Sequence, residues 1–358
     1  MINLYISAIV FGTVILYGAL GEILTEKVGN LNLGVPGIMY LGGIAGLASS
    51  FAYEKAVADP VPMVCILISF LAAFAAAALG GLIYSFLTIT LRANQNVTGL
   101  TLTIFGGGVA NFFGGALNTM AGGVGQISIA ATSSAYRTSI PGMGTGNWFC
   151  QIFLSHGFMV YLALVLAIGI HFFLNRTRIG LNLRAVGENP ATADAAGINV
   201  TKYKYLTTCL GAGISGMGGL YYTVDYVKGT WGSEGTIEAL GWLAVALVIF
   251  ASWKSIRAIW GAYLFGFLNW LYLYVPQLRE KVYQFLTWLD NYVPWVCKKI
   301  IDLFDLDKEV YLSRKDQELF KMLPYIATIL VLVIVSLRKK RENQPPASLG
   351  LPYFREER

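Results

Sequence analysis

The chain has 358 residues, 56% hydrophobic and 13% charged, whereas soluble domains carry roughly a quarter charged residues. That balance excludes an ordinary soluble domain and defines a membrane protein. The net charge of +6 does not point to nucleic acid, because the basic residues follow the ends of apolar runs and form no continuous stripe.

A helical crossing takes about 20 mostly apolar residues whose backbone groups pair within the segment. Nine windows are read as spans, near 3–23, 33–51, 62–89, 98–116, 150–174, 203–224, 237–252, 258–275 and 322–337, within a range of about eight to ten. The expected fold is all-α, a polytopic membrane helix bundle with short broken or re-entrant segments. The first window has no Lys or Arg before Glu22 and no small-residue cleavage pattern after it, so it is expected to stay in the mature chain.

Gly42 and Gly46 lie one helical turn apart in the second window, and Gly211, Ser215 and Gly219 repeat that spacing in the sixth. Such small-residue faces let two helices approach closely. The segment 117–149 is rich in Gly and Ser and is expected to form turns or re-entrant structure. The segment 276–321 carries eight basic and eight acidic residues mixed with Trp288, Tyr292, Trp295, Leu303, Phe304 and Leu306. That mixture predicts amphipathic helices on the outer membrane surface.

Orientation follows from basic residues in short loops. Between 175 and 204, Arg176, Arg178, Arg184, Lys202 and Lys204 outnumber Glu188 and Asp194, and Arg338, Lys339, Lys340 and Arg341 follow the last window. An even number of predicted spans separates the two clusters, which places both in the cytoplasm and the N-terminus outside. Residues 1–340 are therefore read as one transmembrane domain, with 341–358 as a cytoplasmic tail.

No pattern of catalysis survives inspection. Gly211–Gly216 matches G-x-G-x-x-G, but inside an apolar span with no preceding strand it cannot bind a dinucleotide. The chain lacks G-x-x-x-x-G-K-[ST], H-E-x-x-H and G-x-S-x-G. Cys65, Cys150, Cys209 and Cys297 are scattered, and neither His156 nor His171 has an ionisable partner nearby in sequence, so no metal site is expected. Glu22, Asp225 and Glu238 fall at predicted span ends, which disfavours an ion-coupled secondary carrier, the reading from another class.

The most informative polar stretch is GLNLRAVGENPATADAAGIN, 180–199. Asn189 can cap a helix, Pro190 suits its first position, and Gly197 can take the left-handed position after its end. These residues predict a helix over 190–196, roughly 10 Å long at 1.5 Å per residue. Isolated helices need about 12–15 residues for marginal stability, so this one must be held by its surroundings. Ala191, Ala193, Ala195 and Ala196 form a small surface fit for a groove, and Arg184, Glu188 and Asp194 supply charges to fix its register.

GLNLRAVGENPATADAAGINVTKYKY (180–205) resembles the cytoplasmic coupling loop of permease subunits in bacterial ATP-binding cassette (ABC) importers. The branch is the one serving ribose-like sugars, nucleosides and branched-chain amino acids. GEILTEKVGNLNLGVPGIMYLGG (21–43) and LRANQNVTGLTLTIFG (91–106) resemble its nucleoside-type members, linked to basic membrane lipoproteins. A departure is Pro36, where such members often carry Glu after N-L-G; it adds a helix break and leaves the cargo open. The resemblance covers most of residues 5–275 and the last window.

The resemblance implies a permease of the bacterial inner membrane that moves nucleosides or related sugar-bearing molecules inward. Riboflavin, a simple sugar or an amino acid is the alternative cargo. It implies no cofactor in this chain, with ATP and Mg on a partner ABC ATPase, a second permease subunit that is often a paralogue, an outer substrate-binding lipoprotein, and membrane lipid around the bundle. Arg184, Gly187, Glu188, Asn189, Pro190, Ala193, Asp194 and Gly197 would form the ATPase-coupling segment.

A neutral sugar or nucleoside needs hydrogen-bonding groups and aromatic faces rather than fixed charge. Asn30, Asn32, Asn94, Gln95, Asn96, Thr98, Asn111 and Asn118 are the polar candidates, with Phe105, Phe112 and Phe113 as apolar walls. Helix capping and interhelical hydrogen bonding compete with substrate contact at every Asn and Thr of this set.

Overall fold

The computed structural model describes residues 2–120, 127–139, 147–231, 235–290, 319–338 and 343–354. Unbroken apolar runs leave a backbone no partner but itself, so helices dominate. In chain order they are α1 (Ile2–Lys27), α2 (Val35–Ala56), α3 (Pro62–Ser85), α4 (Gln95–Met120), α5 (Ala130–Arg137), α6 (Trp148–Phe153) and α7 (Phe158–Arg176). After them come α8 (Arg178–Glu188), α9 (Pro190–Ala195), α10 (Val200–Tyr221), α11 (Thr236–Phe250), α12 (Ser255–Asp290) and α13 (Leu323–Arg338). Pro36 sits in the first turn of α2, where its missing amide costs no hydrogen bond. It opens that helix rather than breaking it.

Four helices form the centre. α10 lies against α1, α2 and α3, and α12 and α11 close the other side of α1. Small residues permit this: an added Cβ at Gly21 would run into Gly211 backbone, one at Gly42 into Gly216, and one at Gly219 into the carbonyl of Met39. Ser215 Oγ donates to the Gly18 carbonyl at 3.0 Å across the α1–α10 contact. The small faces of α2 and α10 thus pack within one chain, and dispersion between touching backbones replaces the hydrophobic drive that lipid cannot supply. Tyr17, fully buried, donates to the Met159 carbonyl at 2.8 Å and binds α7 to the centre.

Among the described residues, six helices are long and apolar enough to cross a membrane: α1, α2, α3 with its extension to Thr90, α4, α7, and α12 over Ser255–Val275. The apolar segments Thr236–Phe250 and Leu319–Ile334 are shorter, and α10 is diluted by Gly, Thr and two Lys. Nine crossings are therefore not established by length and composition among the described residues. The window 150–174 is two helices rather than one span. The chain breaks at 154–157, where His156 Nε2 bonds to the Ile152 carbonyl at 2.8 Å and Gly157 meets the Tyr136 carbonyl too closely for a side chain. Residues 276–290 continue α12 instead of starting a separate surface helix, while 291–318, including Tyr292, Trp295, Leu303, Phe304 and Leu306, lie outside the described residues.

α3 and α10 each end in a π-helical turn, Phe86–Thr90 and Tyr222–Tyr226. Such turns are rare and widen a helix locally. The second one receives the 127–137 segment: Ile129 N–H donates to the Gly229 carbonyl at 2.9 Å and Ser133 Oγ to the Val224 carbonyl at 2.7 Å. Within the Gly- and Ser-rich stretch, α5 is a packed helix whose Thr132 amide and hydroxyl both bond to Glu54 Oε1.

Candidate functional site: the face around α9

α9 is built as its residues require. Asn189 Oδ1 accepts from Thr192 N–H at 3.0 Å and Pro190 fills the first position. At the other end Gly197 has φ +84°. Its N–H bonds to the Asp194 carbonyl at 3.0 Å and Ile198 N–H to the Ala193 carbonyl at 3.0 Å, the paired bonds of a Schellman ending. The helix is Pro190–Ala195, one residue shorter than the predicted span. Ala193 is buried, while Thr192, Ala195 and Ala196 are exposed.

α8 carries α9 to the body of the protein. Thr177 Oγ1 caps α8 by accepting from Gly180 N–H at 3.0 Å, and Leu183, Val186 and Gly187 turn inward. Gly187 lies directly against the Lys27 carbonyl at the end of α1, with no room for a Cβ. Arg184 Nη1 reaches Asn175 Oδ1 at 3.4 Å, and Glu188 is exposed. A cavity of about 680 Å³ beside α8 is lined by Lys27, Arg184, Glu188, Trp253 and Lys254 among others.

The described part of the tail returns to this face. Ser348 N–H donates to the Gly187 carbonyl at 3.1 Å, Gly350 N–H to the Gly29 carbonyl at 3.3 Å, and Tyr353 OH to Asp194 Oδ2 at 2.8 Å. The Arg92 guanidinium stacks over the Phe354 ring at 4.6 Å. Residues 343–354 thus form a strap joining the α1–α2 turn, α8, α9 and the turn before α4. A short polar, Pro-containing tail has no periodicity that would have foretold this.

The eight coupling candidates are brought together by α8, α9 and Gly197. The other candidates divide. Asn30 Nδ2 donates to Thr208 Oγ1 at 2.8 Å, Asn32 Oδ1 accepts from Gly34 N–H at 2.9 Å, and Gln95 Oε1 accepts from Leu31 N–H at 2.7 Å. These three hold the α1–α2 turn. Asn94 caps α4 through Val97 N–H at 3.1 Å, Thr98 bonds back to the Asn94 carbonyl, and Asn118 Oδ1 accepts from Ile127 N–H at 2.8 Å. Asn96, Asn111, Phe105, Phe112 and Phe113 stand exposed on α4.

Sequence reasoning missed a buried acidic pair. Glu22 and Glu26 are 1% and 4% exposed, one turn apart near the end of α1. Glu22 Oε1 accepts from Asn32 N–H at 3.1 Å, and Glu26 Oε2 accepts from the indole N–H of Trp253. The pair pins α1 to both the α1–α2 turn and the α11–α12 turn. The i, i+4 spacing in GEILTE was the available signal, since two acids on one face of an apolar helix require partners.

The described residues form a helical bundle with several membrane-length apolar helices and a short, doubly capped helix, α9, between α8 and α10. The chain belongs to the branched-chain amino acid transport system / permease component family, whose model matches residues 4–332. It is similar to the putative glucose ABC transporter permease protein TsgC13 of Haloferax volcanii, at 35% identity over 73% of this chain and 74% of that protein. It is also similar, at 30% identity, to the guanosine ABC transporter permease protein NupQ of Bacillus subtilis, over 73% of this chain and 79% of the relative. The nucleoside ABC transporter permease protein NupC of Lactococcus lactis is 30% identical over 72% and 78%. No solved structure matches the chain. Permease components of ABC systems are not enzymes; they work with a substrate-binding protein and with a separate ATPase that hydrolyses ATP.

Proposed function

We propose that this permease imports nucleosides or related sugar-bearing molecules, driven by an ATPase that grips α9 from the cytoplasm. The observation that carries the coupling half is the construction of α9. A helix of six residues with both ends capped, its inner face packed and its outer residues exposed, transmits force without fraying. The basic residues of 176–204 support a cytoplasmic position for this face.

The cargo half rests on the guanosine and nucleoside permeases named above and on Asn111. This residue lies near the middle of α4 on an exposed stripe with Thr101, Gly108 and Gly115. A polar side chain at membrane depth is costly against lipid and belongs against a partner or a polar path. A second permease subunit covering this stripe would enclose a path lined by Asn111 and walled by Phe112, with Phe105 and Phe113 beside it. Asn30, Asn32, Asn94, Gln95, Asn96, Thr98 and Asn118 then shape the helix turns and ends around that path. Because one relative is a putative glucose permease, the sugar is the chemistry common to the competing cargoes.

The test is uptake of labelled guanosine and labelled glucose into vesicles holding the complete transporter, with wild type and Asn111→Leu. Expected are ATP-dependent guanosine uptake and at least about a tenfold loss in the variant, the equivalent of roughly 1.4 kcal/mol. Uptake that follows an ion gradient with the ATPase absent would overturn the mechanism, and glucose alone as cargo would overturn the substrate class.

A further inference from the structure

A second cavity, of about 670 Å³, lies on the other side of α9, between the π-helical turn at the end of α3, the first turns of α10 and the strap. Its wall includes Arg92, Lys202 and Lys204. Lys204 is 3% exposed, and no hydrogen bond or ion pair to its ammonium is found among the described residues. The stem is packed away while the ammonium, not among the fully enclosed polar atoms, opens to the cavity, and a nearly buried cation with no counter-charge beside it favours an anion in that space. Asp194 is the one acid among the lining residues, against three basic ones, and accepts from Tyr353.

The rest of the wall has the same polarity. Asn199 caps α10 by accepting from Lys202 N–H at 2.9 Å. The amides of Val200 and Thr201, in the first turn, have no partner within the helix by construction. They add the positive end of a 22-residue helix to the three side chains. The volume falls within the roughly 300–1,000 Å³ of small-ligand sites.

One flank identifies the source of the anion. Phe86, Leu91, Leu206 and Leu210 are 50%, 58%, 54% and 54% exposed, on the ends of α3 and α10 that border the cavity. Tyr205, on the cavity wall, is joined hydroxyl to hydroxyl with Thr90. A free phosphate would leave that apolar flank unused, whereas acyl chains would cover it. We propose that the cavity holds the phosphate of an anionic phospholipid, with Lys204 beneath it, Lys202 and Arg92 at its sides, and its chains along Phe86, Leu206 and Leu210. Basic pockets between helices at a membrane face bind such headgroups. The inference depends on the functional reading only for the leaflet, here the cytoplasmic one.

The test is native mass spectrometry of the full chain released from nanodiscs containing equal phosphatidylglycerol and phosphatidylcholine. Wild type should retain phosphatidylglycerol about tenfold more than phosphatidylcholine. Lys204→Gln should abolish the preference and Lys204→Arg should restore it. Should Lys204→Gln fail to fold, Arg92→Gln with Lys202→Gln on the rim should reduce it severalfold. Equal retention of the two lipids, or a preference untouched by these variants, would overturn the site. So would displacement of the lipid by millimolar inorganic phosphate, by the purified ATPase, or by the chain's own Glu356 and Glu357, recognised when a chain ending at Phe354 alone shows the preference. ATP-coupled uptake measured on the same variants separates the two readings: intact uptake without lipid preference removes this site and leaves the transporter standing.

Discussion

Tyr353 donates its hydroxyl to Oδ2 of Asp194 at 2.8 Å, so the described part of the tail is fastened to α9. α9 cannot hold itself by length; its caps, its buried Ala193 and this bond hold it. Tyr353→Phe should loosen the segment by about 1 kcal/mol, toward the low end for hydrogen bonds to charged groups because the pair is only part-buried. Hydrogen exchange of residues 189–199 should rise severalfold, with exchange in α1 and α2 unchanged. Equal protection in wild type and variant would show that the strap rests on α9 without supporting it.

Gly187 and Glu188 are neighbours with different expected behaviour. Gly187→Leu drives a side chain into the Lys27 carbonyl, and overpacking of this kind costs about 1–3 kcal/mol. Glu188 is exposed, so Glu188→Lys should stay within about 0.5 kcal/mol of wild type in stability, yet weaken ATPase copurification severalfold by reversing a contact charge. If Glu188→Lys copurified as well as wild type, the role of that charge in coupling would fall.

Gly219 is spent on a helix crossing. A methyl group there meets the Met39 carbonyl, whereas at Gly169 on α7 nothing lies within 4 Å. Gly219→Ala should lower the unfolding midpoint, at a cost of about 1–3 kcal/mol. Gly169→Ala should raise it slightly, by up to about 1 kcal/mol of helix propensity. The opposite signs are the check, read by thermal unfolding of the purified chain in one detergent.

Trp253 has φ +56°, an outlier for so bulky a residue, and its indole serves Glu26. Trp253→Phe should therefore destabilise by about 1–3 kcal/mol by leaving a buried carboxyl without its donor. The double variant Trp253→Phe with Glu26→Leu should recover part of the loss, because removing both partners avoids the orphaned group. A double variant less stable than Trp253→Phe would show that Glu26 has other partners that matter more.

Much of the α8–α9 segment was legible in the sequence because capping is a local matter. Asn189, Pro190 and Gly197 announce a helix start and stop without regard to the rest of the chain, and the four-residue spacing of Gly211, Ser215 and Gly219 announces a close crossing. What escaped was whatever depends on distant partners. Glu22 read as a span-end residue and Glu26 was not singled out, because the partners that bury them, the Asn32 amide in the next turn and the Trp253 indole far along the chain, follow no local pattern. The break at 154–157 escaped because Ser155, His156 and Gly157 are too short a polar interruption to lower the apolar average of the window around them. The strap escaped because Ser348 and Tyr353 act through single contacts rather than a pattern.

The central claim is that α9 is the point where an ATPase takes hold. A photoreactive amino acid placed at exposed Ala195, in the complete transporter within its membrane, tests it most directly. The account predicts a crosslink to the ATPase whose yield changes between nucleotide-free and ATP-bound states. Crosslinks to lipid alone, or to the outer binding protein, would contradict it.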